Sequence, residues 1–365
     1  MIALWIFLLL IGFVLLVKGA DFFVDGASGI AQKLHVSTFI IGLTVVALGT
    51  SAPEAAVSII GGIKAVTGDM SGAQVIMGNV LGSNMMNILL ILGISAVITK
   101  LPVEKSSRYI EVPFLILISF LFLFLGDLGN GFAWYDGLIL IALYAAFMAY
   151  TIIMAKRSRQ NVLLEQSAAE AVAIVAAPPR EGFRGALDKI AAKYDDLKSK
   201  VWFLIIITVV GLGMVVGGAQ LVVESAQTIA EDYLHIPTGI VALTVVAFGT
   251  SLPELVTSVS AAKKGDVGLA TGNIIGSNIA NLLFVAGLGF VSSGAAGVPF
   301  DVSSLADGYV SIIAALLLLG FSFVKGNKLG KAAGITMLVV LVAYYSYRIC
   351  AACGVCPMIE IPTIF

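Results

Sequence analysis

Apolar runs of roughly 20 residues, the length a helix needs to cross a hydrocarbon core about 30 Å thick, recur along almost the whole chain. Ten can be placed, near residues 2–17, 37–63, 73–99, 109–126, 134–154, 201–223, 237–262, 268–292, 306–323 and 330–349. With 59% of its 365 residues hydrophobic, 12% charged and a mean hydropathy of +1.04, the chain cannot cover its apolar surface with a polar skin in water. The expected fold class is therefore an all-α integral membrane protein with ten transmembrane helices. The first run, "MIALWIFLLLIGFVLLV", has neither a basic leader nor a small-x-small cleavage site, and is read as a retained helix, not a signal peptide.

The formal net charge of -1 carries no signal for nucleic acid, but the placement of the 21 Lys and Arg residues sets an orientation. With the N-terminus outside, the inner loops collect every basic residue except Lys64 and Arg348, while the outer loops carry acids such as Asp69, Asp127, Glu231, Asp232, Asp301 and Asp307. The positive-inside rule then puts both termini outside and residues 155–200 in the cytoplasm. That stretch, from "KRSRQNVLLEQSAAE" through "PPR" to "ALDKIAAKYDDLKSK", reads as a cytoplasmic connector with one or two amphipathic helices at the membrane surface. It separates a first half, residues 1–154, from a second, residues 201–365.

The halves repeat one another. "LHVSTFIIGLTVVALGTSAPE" from Leu34 and "LHIPTGIVALTVVAFGTSLPE" from Leu234 share about two thirds of their positions at an offset of 200, and "GNVLGSNMMNILLILG" from Gly78 matches "GNIIGSNIANLLFVAG" from Gly272. Each half holds five spans, an odd number, so the second enters the membrane from the opposite side. The prediction is two inverted five-helix repeats, with the "GTS-P-E" helices meeting near the midplane about a pseudo-two-fold axis.

Glu54 and Glu254 lie near the middle of their apolar runs, and no Lys, Arg or His sits at comparable depth to neutralise them. A carboxylate is costly there, and the remaining partners are protons and bound cations. Pro53 and Pro253 each remove a backbone donor and free the carbonyl four residues earlier, at Gly49 and Gly249. Irregular backbone at this depth is tolerated where it lines a cavity. Carboxylate, hydroxyl and carbonyl together form a hard-oxygen set that suits calcium or sodium. In the second segment of each repeat, Asn79, Ser83 and Asn87, and likewise Asn273, Ser277 and Asn281, share one helical face. Gly78, Gly82, Gly272 and Gly276 form small-x-x-x-small pairs that let helices approach closely.

These stretches, residues 34–99 and 234–292, resemble the alpha repeats of the cation/calcium exchanger superfamily, most closely those of sodium/calcium exchangers of bacterial and archaeal type. The resemblance implies central calcium ligation by Glu54 and Glu254, helped by the backbone oxygens of Thr50 and Thr250. It implies flanking sodium sites that use Ala47, Thr50, Ser51 and Glu54 in one repeat and Ala247, Thr250, Ser251 and Glu254 in the other, with Ser83 and Ser277 from the partner helices. Asn87 and Asn281 are then central polar ligands. Some relatives carry aspartate where this chain has Asn281; asparagine in both repeats speaks against potassium coupling and removes one titratable group.

The implied function is antiport of cytoplasmic calcium against external sodium by alternating access, with spans 1 and 6 sliding past a fixed core. Gly12, Gly19, Gly211, Gly213, Gly217 and Gly218 permit that motion. The implied setting is a prokaryotic plasma membrane, with no enzymatic role and no cofactor; the partners are the transported ions and the bilayer. Proton-coupled transport of calcium or another divalent ion is the alternative, and a cation channel could use the same oxygens. A hydrolase built on Ser51 or Ser251 would lack a base, because His35 and His235 lie about sixteen residues earlier, near span ends. Cys350, Cys353 and Cys356 have a C-x-x-C-x-x-C spacing, but no fourth thiolate or neighbouring histidine completes a metal site. They are expected as incidental thiols of a short outward-facing tail, or as the source of one disulfide.

Overall fold

The computed structural model describes residues 2–68, 71–129, 131–169, 200–233, 247–324 and 326–352. Among them, eight helices are long and apolar enough to cross a membrane, and one bent pair makes up to a ninth crossing. In chain order these are α1 (Ile2–Leu34), the bent pair α2 (Thr38–Thr50) and α3 (Ala52–Val66), α4 (Gly72–Ile98), α5 (Ser107–Leu128), α6 (Trp134–Ala155), α7 (Val201–Ala226), α10 (Val267–Ala296), α11 (Ser304–Ser322) and α12 (Lys331–Cys350). The tenth expected span, 237–262, is described from Ala247 onward, as a four-residue helix α8 (Ala247–Thr250) followed by α9 (Leu252–Lys263). Its first part, with His235 and the rest of 234–246, lies outside the described residues.

Two helices outrun the apolar stretches that predict them. α1 runs to Leu34 instead of ending near residue 17, because nothing in "KGADFFVDGASGIAQKL" breaks a helix once it has left the hydrocarbon. It stops at His35, which takes a left-handed φ of 54°, and Ser37 then caps the next helix by accepting from Ile40 N at 3.3 Å. The helix of α6 likewise continues to Ala169, so the connector begins as an extension of the fifth span.

α1 and α7 pack antiparallel through small residues. A Cβ on Gly19 would lie 2.9 Å from the Gly211 carbonyl oxygen, and one on Gly211 only 2.4 Å from Phe23 N. Leu16, Ala20, Val215, Ala219, Val222 and Leu252 form a small cluster around this seam, separate from the main core. The main core gathers the C-terminal half of α1 and α2 to α6 with α9 to α12, and its largest buried side chains include Phe23, Phe39, Phe122 and Phe290.

Among the described residues, four two-residue strands tie the loops together: β1 (Leu101–Pro102), β2 (Gly131–Phe132), β3 (Val298–Pro299) and β4 (Lys328–Leu329). β1 pairs antiparallel with β4, and β2 with β3. β1 follows α4 as β3 follows α10, and β2 precedes α6 as β4 precedes α12. Each ladder therefore joins a loop of one half to the non-equivalent loop of the other, the pairing that exchange of the halves about a two-fold would generate. Near the end of α12, Arg348 pairs with Asp307 at 3.7 Å, and Tyr344 also donates to Asp307. Cys350 is disulfide-bonded, which corrects the incidental-thiol reading for that residue; Cys353 and Cys356 lie outside the described residues.

Candidate functional site

Both motif helices break at the serine of "GTS". α2 ends at Thr50, Ser51 takes φ -82° and ψ 7°, and α3 leaves at an angle of 45°. Ser251 repeats the conformation with φ -88° and ψ 3° between α8 and α9. Pro53 and Pro253 therefore sit in first turns, where a missing N–H costs nothing. Glu54 and Glu254 fall in the same first turns, where the unpaired N–H groups and the helix dipole favour an anion. The proline thus does more than free a carbonyl: it begins a new helix under each carboxylate.

Close packing of α10 on α2 brings the halves together. A Cβ on Gly272 would lie 2.2 Å from the Phe39 carbonyl oxygen, and one on Gly276 only 2.4 Å from that of Leu43, so only glycine admits this approach. Asn273 consequently reaches Thr50, whose hydroxyl lies 3.1 Å from Asn273 Oδ1 and 3.0 Å from the Val46 carbonyl oxygen. A hydroxyl has one hydrogen to share among these acceptors, and its oxygen keeps lone pairs for another partner. Asn273 Nδ2 donates to Ser258 Oγ at 2.9 Å. In the other half Asn79 Nδ2 donates to Ser58 Oγ at 3.0 Å and to the Glu54 main-chain carbonyl at 2.9 Å.

Ser51 Oγ donates to Glu254 Oε1 at 3.1 Å, a direct bond between the two copies of the motif. The Thr50 and Ser277 hydroxyls face the same carboxylate, and Glu54 is near enough to repel it. Glu54 and Glu254 are 1% and 0% exposed. Among the described residues, neither oxygen of Glu54 nor Oε2 of Glu254 has a hydrogen-bond partner. The Ser251 and Ser277 hydroxyls and the side-chain amides of Asn87 and Asn281 are unpartnered as well. Folded proteins leave few buried polar atoms in this condition, and so many in one region call for a bound species. No group of three His, Cys, Asp or Glu able to hold a metal occurs among the described residues. Two carboxylates with neutral oxygens suit a hard cation held without a dedicated cage.

The remaining expected ligands are buried or lie on the motif helices. Ser83 is buried, Ala47 gives its carbonyl to Ser51 N at 3.0 Å, and Ala247 and Thr250 belong to α8. Asn87 and Asn281 sit on wide π-helical turns, Met86–Leu92 and Asn281–Val285, at equivalent places in the repeats. Sequence reasoning missed Ser58 and Ser258, which fasten the broken helices; their signal was present, since each follows its glutamate by four residues at the repeat offset of 200. It also gave no role to Asn84, whose Nδ2 donates to the Asn278 carbonyl at 3.3 Å where α4 and α10 cross. A separate cavity of about 460 Å³, lined by Leu125, Phe132, Tyr135, Asp136 and Pro299 among others, lies beside the β2–β3 ladder and includes none of these groups.

The sequence profile of the family described as "Sodium/calcium exchanger protein" matches residues 4–153 and 203–350. CaxA of Alkalimonas amylolytica is 35% identical over 339 residues, covering 92% of this chain and 95% of its own. The sodium/calcium exchanger MaX1 of Methanosarcina acetivorans is 33% identical over 363 residues, covering 92% and 96%. Among solved structures, the sodium-calcium exchanger NCX_Mj soaked with sodium and strontium superimposes with a TM-score of 0.74 at 30% identity, over 95% of this chain and 99% of that one.

Proposed function

The chain belongs to the sodium/calcium exchanger family, and on that premise we propose that it is a secondary antiporter moving calcium out of the cytoplasm as sodium enters. The observation that carries the proposal is the pair of buried carboxylates, one from each half, with three of their four oxygens unpartnered among the described residues. Calcium binds between Glu54 and Glu254 with the backbone oxygens of Thr50 and Thr250. Sodium binds on either side, to Ala47, Thr50, Ser51 and Glu54 and to Ala247, Thr250, Ser251 and Glu254, with Ser83 and Ser277 beside them. Asn87 and Asn281 complete the centre.

Two glutamates supply a charge of -2, which one calcium or two sodium ions neutralise; a third sodium makes exchange electrogenic. Because the ions share ligands, one set must leave before the other binds. An empty, doubly charged site is too costly to carry across, and this penalty suppresses leak.

The architecture proposed is ten spans in two inverted five-helix repeats, residues 1–154 and 201–365, with residues 155–200 as the cytoplasmic connector and both termini outside. The swapped pairing β1–β4 and β2–β3 supports the inversion. Alternating access comes from sliding of the α1–α7 pair along the core. Calcium uptake into vesicles under an imposed sodium gradient tests the proposal, and undiminished uptake in the Glu54→Gln, Glu254→Gln double variant would sink it. Replacing sodium by choline across a pH gradient separates the proton-coupled alternative, which requires calcium movement to persist. Saturation and counterflow separate a carrier from a channel.

A further inference from the structure

The repeat extends past the two motifs. "GADFFVD" from Gly19 aligns with "GAQLVVE" from Gly218 at an offset of 199, and Lys64 aligns with Lys264 at the offset of 200 that also relates Glu54 to Glu254. Asp21, Asp25 and Lys264 therefore have Gln220, Glu224 and Lys64 as counterparts toward the other face of the membrane.

The two sets are in different states. Lys264 Nζ lies 2.7 Å from Asp25 Oδ1 and 3.5 Å from Asp21 Oδ1, and it donates to the Asp21 main-chain carbonyl at 2.8 Å. Ser260 donates to Asp21 Oδ1 at 2.9 Å, and Ser28 to Asp266. α1 is thereby pinned to the end of α9 and the turn into α10. Across the fold, Glu224 accepts a hydrogen bond from Gln220 of its own helix at 3.0 Å, and Lys64 is exposed and makes no ion pair among the described residues. Among the described residues, α7 has no packing along α3 comparable with that of α1 along α9.

We propose that these are two alternative latches of one device. Lys264 with Asp21 and Asp25 holds the cytoplasmic side shut, and Lys64 with Glu224 forms when the α1–α7 pair slides and the outer side shuts. The proposal rests on the reading of the chain as an alternating-access antiporter. Its mechanics follow from the seam: α1 and α7 meet backbone to backbone and move as one body, so a slide that releases Lys264 on one face carries Glu224 toward Lys64 on the other. Partly exposed ion pairs are weak, and that suits a carrier, which needs both states populated within a small free-energy gap. The latch also gives Lys64 a purpose: it is one of two basic residues that break the positive-inside pattern.

Hydrogen–deuterium exchange on the whole 365-residue chain in lipid nanodiscs tests this without an ion gradient. Lys264→Gln is expected to speed exchange of residues 21–28 and 258–266 and to slow that of residues 60–66 and 220–226, each by about two- to fivefold. Lys64→Gln should shift both regions the opposite way. The charge swap Asp25→Lys with Lys264→Asp should restore the wild-type pattern, which a purely local loss of packing would not. Changes of the same sign in the two single variants, or no response at residues 60–66 and 220–226, overturn the latches. If the wild-type chain failed to drive calcium with sodium while the reciprocal pattern held, the antiport reading would fall and the latches would stand.

Discussion

Glu54→Gln tests whether the carboxylates are there for a cation. The side chain is 1% exposed and neither oxygen is hydrogen-bonded among the described residues, so no local structure depends on its charge. With glutamine in place, a bound calcium faces one carboxylate, and one unit of positive charge is left uncompensated in a buried site. Removing one partner of a buried charge pair costs about 3–5 kcal/mol. At about 1.4 kcal/mol per tenfold, calcium affinity falls roughly 100- to 5,000-fold. The ion-free protein should not be destabilised by the variant, since neither Glu54 oxygen has a hydrogen-bond partner to lose among the described residues. Two assays read the two halves of the argument. Calorimetric titration of calcium gives the affinity, and melting curves with and without calcium give the linkage, worth about 2.7 kcal/mol at a hundredfold excess over Kd in the wild type. A calcium affinity within tenfold of wild type refutes the assignment. So does an ion-free melting point well below that of the wild type, because it would make the carboxylate a structural group.

Three further perturbations probe the scaffold. Asn273→Ala strips the acceptor from Thr50 and the donor from Ser258, and a loss of about 1–3 kcal/mol is expected in denaturant or thermal unfolding, with weakened sodium dependence of flux. Gly211→Val places a Cβ 2.4 Å from Phe23 N and wedges α1 from α7; transport should fall more than calcium binding, measured side by side on one preparation. Burial holds the Glu104 carboxyl above the usual carboxylate range. The folded state then binds that proton more tightly than the unfolded one, so stability falls as pH rises from the unfolded value of about 4.3 toward the folded one. Glu104→Gln should flatten this decline in melts run from about pH 4 upward, and an unchanged slope would assign it elsewhere.

What was legible in the sequence was whatever period and repetition encode. Apolar length located the spans, and the doubled motif brought Glu54 and Glu254 into one region although 200 residues separate them. Helix ends were not legible beyond the membrane: α1 runs on to Leu34 because leaving the hydrocarbon imposes no stop, and only the left-handed His35 supplies one. The wide turns at Asn87 and Asn281 carry no compositional mark, since an inserted residue in a helix shifts the register without changing polarity. Ser58 and Ser258 were readable in principle from the offset, but a serine in a membrane helix commonly bonds its own backbone, as Ser119 does with Leu115, and gives no sign of a longer reach.

The repeats match in sequence more closely than in bonding, and the difference bears on how ions are exchanged. Ser51 donates to Glu254, whereas the equivalent Ser251 hydroxyl has no partner among the described residues and both oxygens of Glu54 are left bare. One carboxylate is partly satisfied by protein and the other is not, although both begin a helix in the same conformation. A similar inequality appears at the membrane faces, where Lys264 is paired with α1 and, among the described residues, Lys64 makes no ion pair with α7. Local propensity does not explain the unequal bonding of Ser51 and Ser251, which take the same conformation in the same motif, whereas at the membrane faces the sequences themselves differ, Gln220 standing where the other half has Asp21. On the proposed sliding of the α1–α7 body, the inequality at the motif follows from where that body lies against the core. If the halves are inverted as proposed, exchanging their unlike states gives a second state of comparable energy, and passing between the two would carry the site from one side of the membrane to the other.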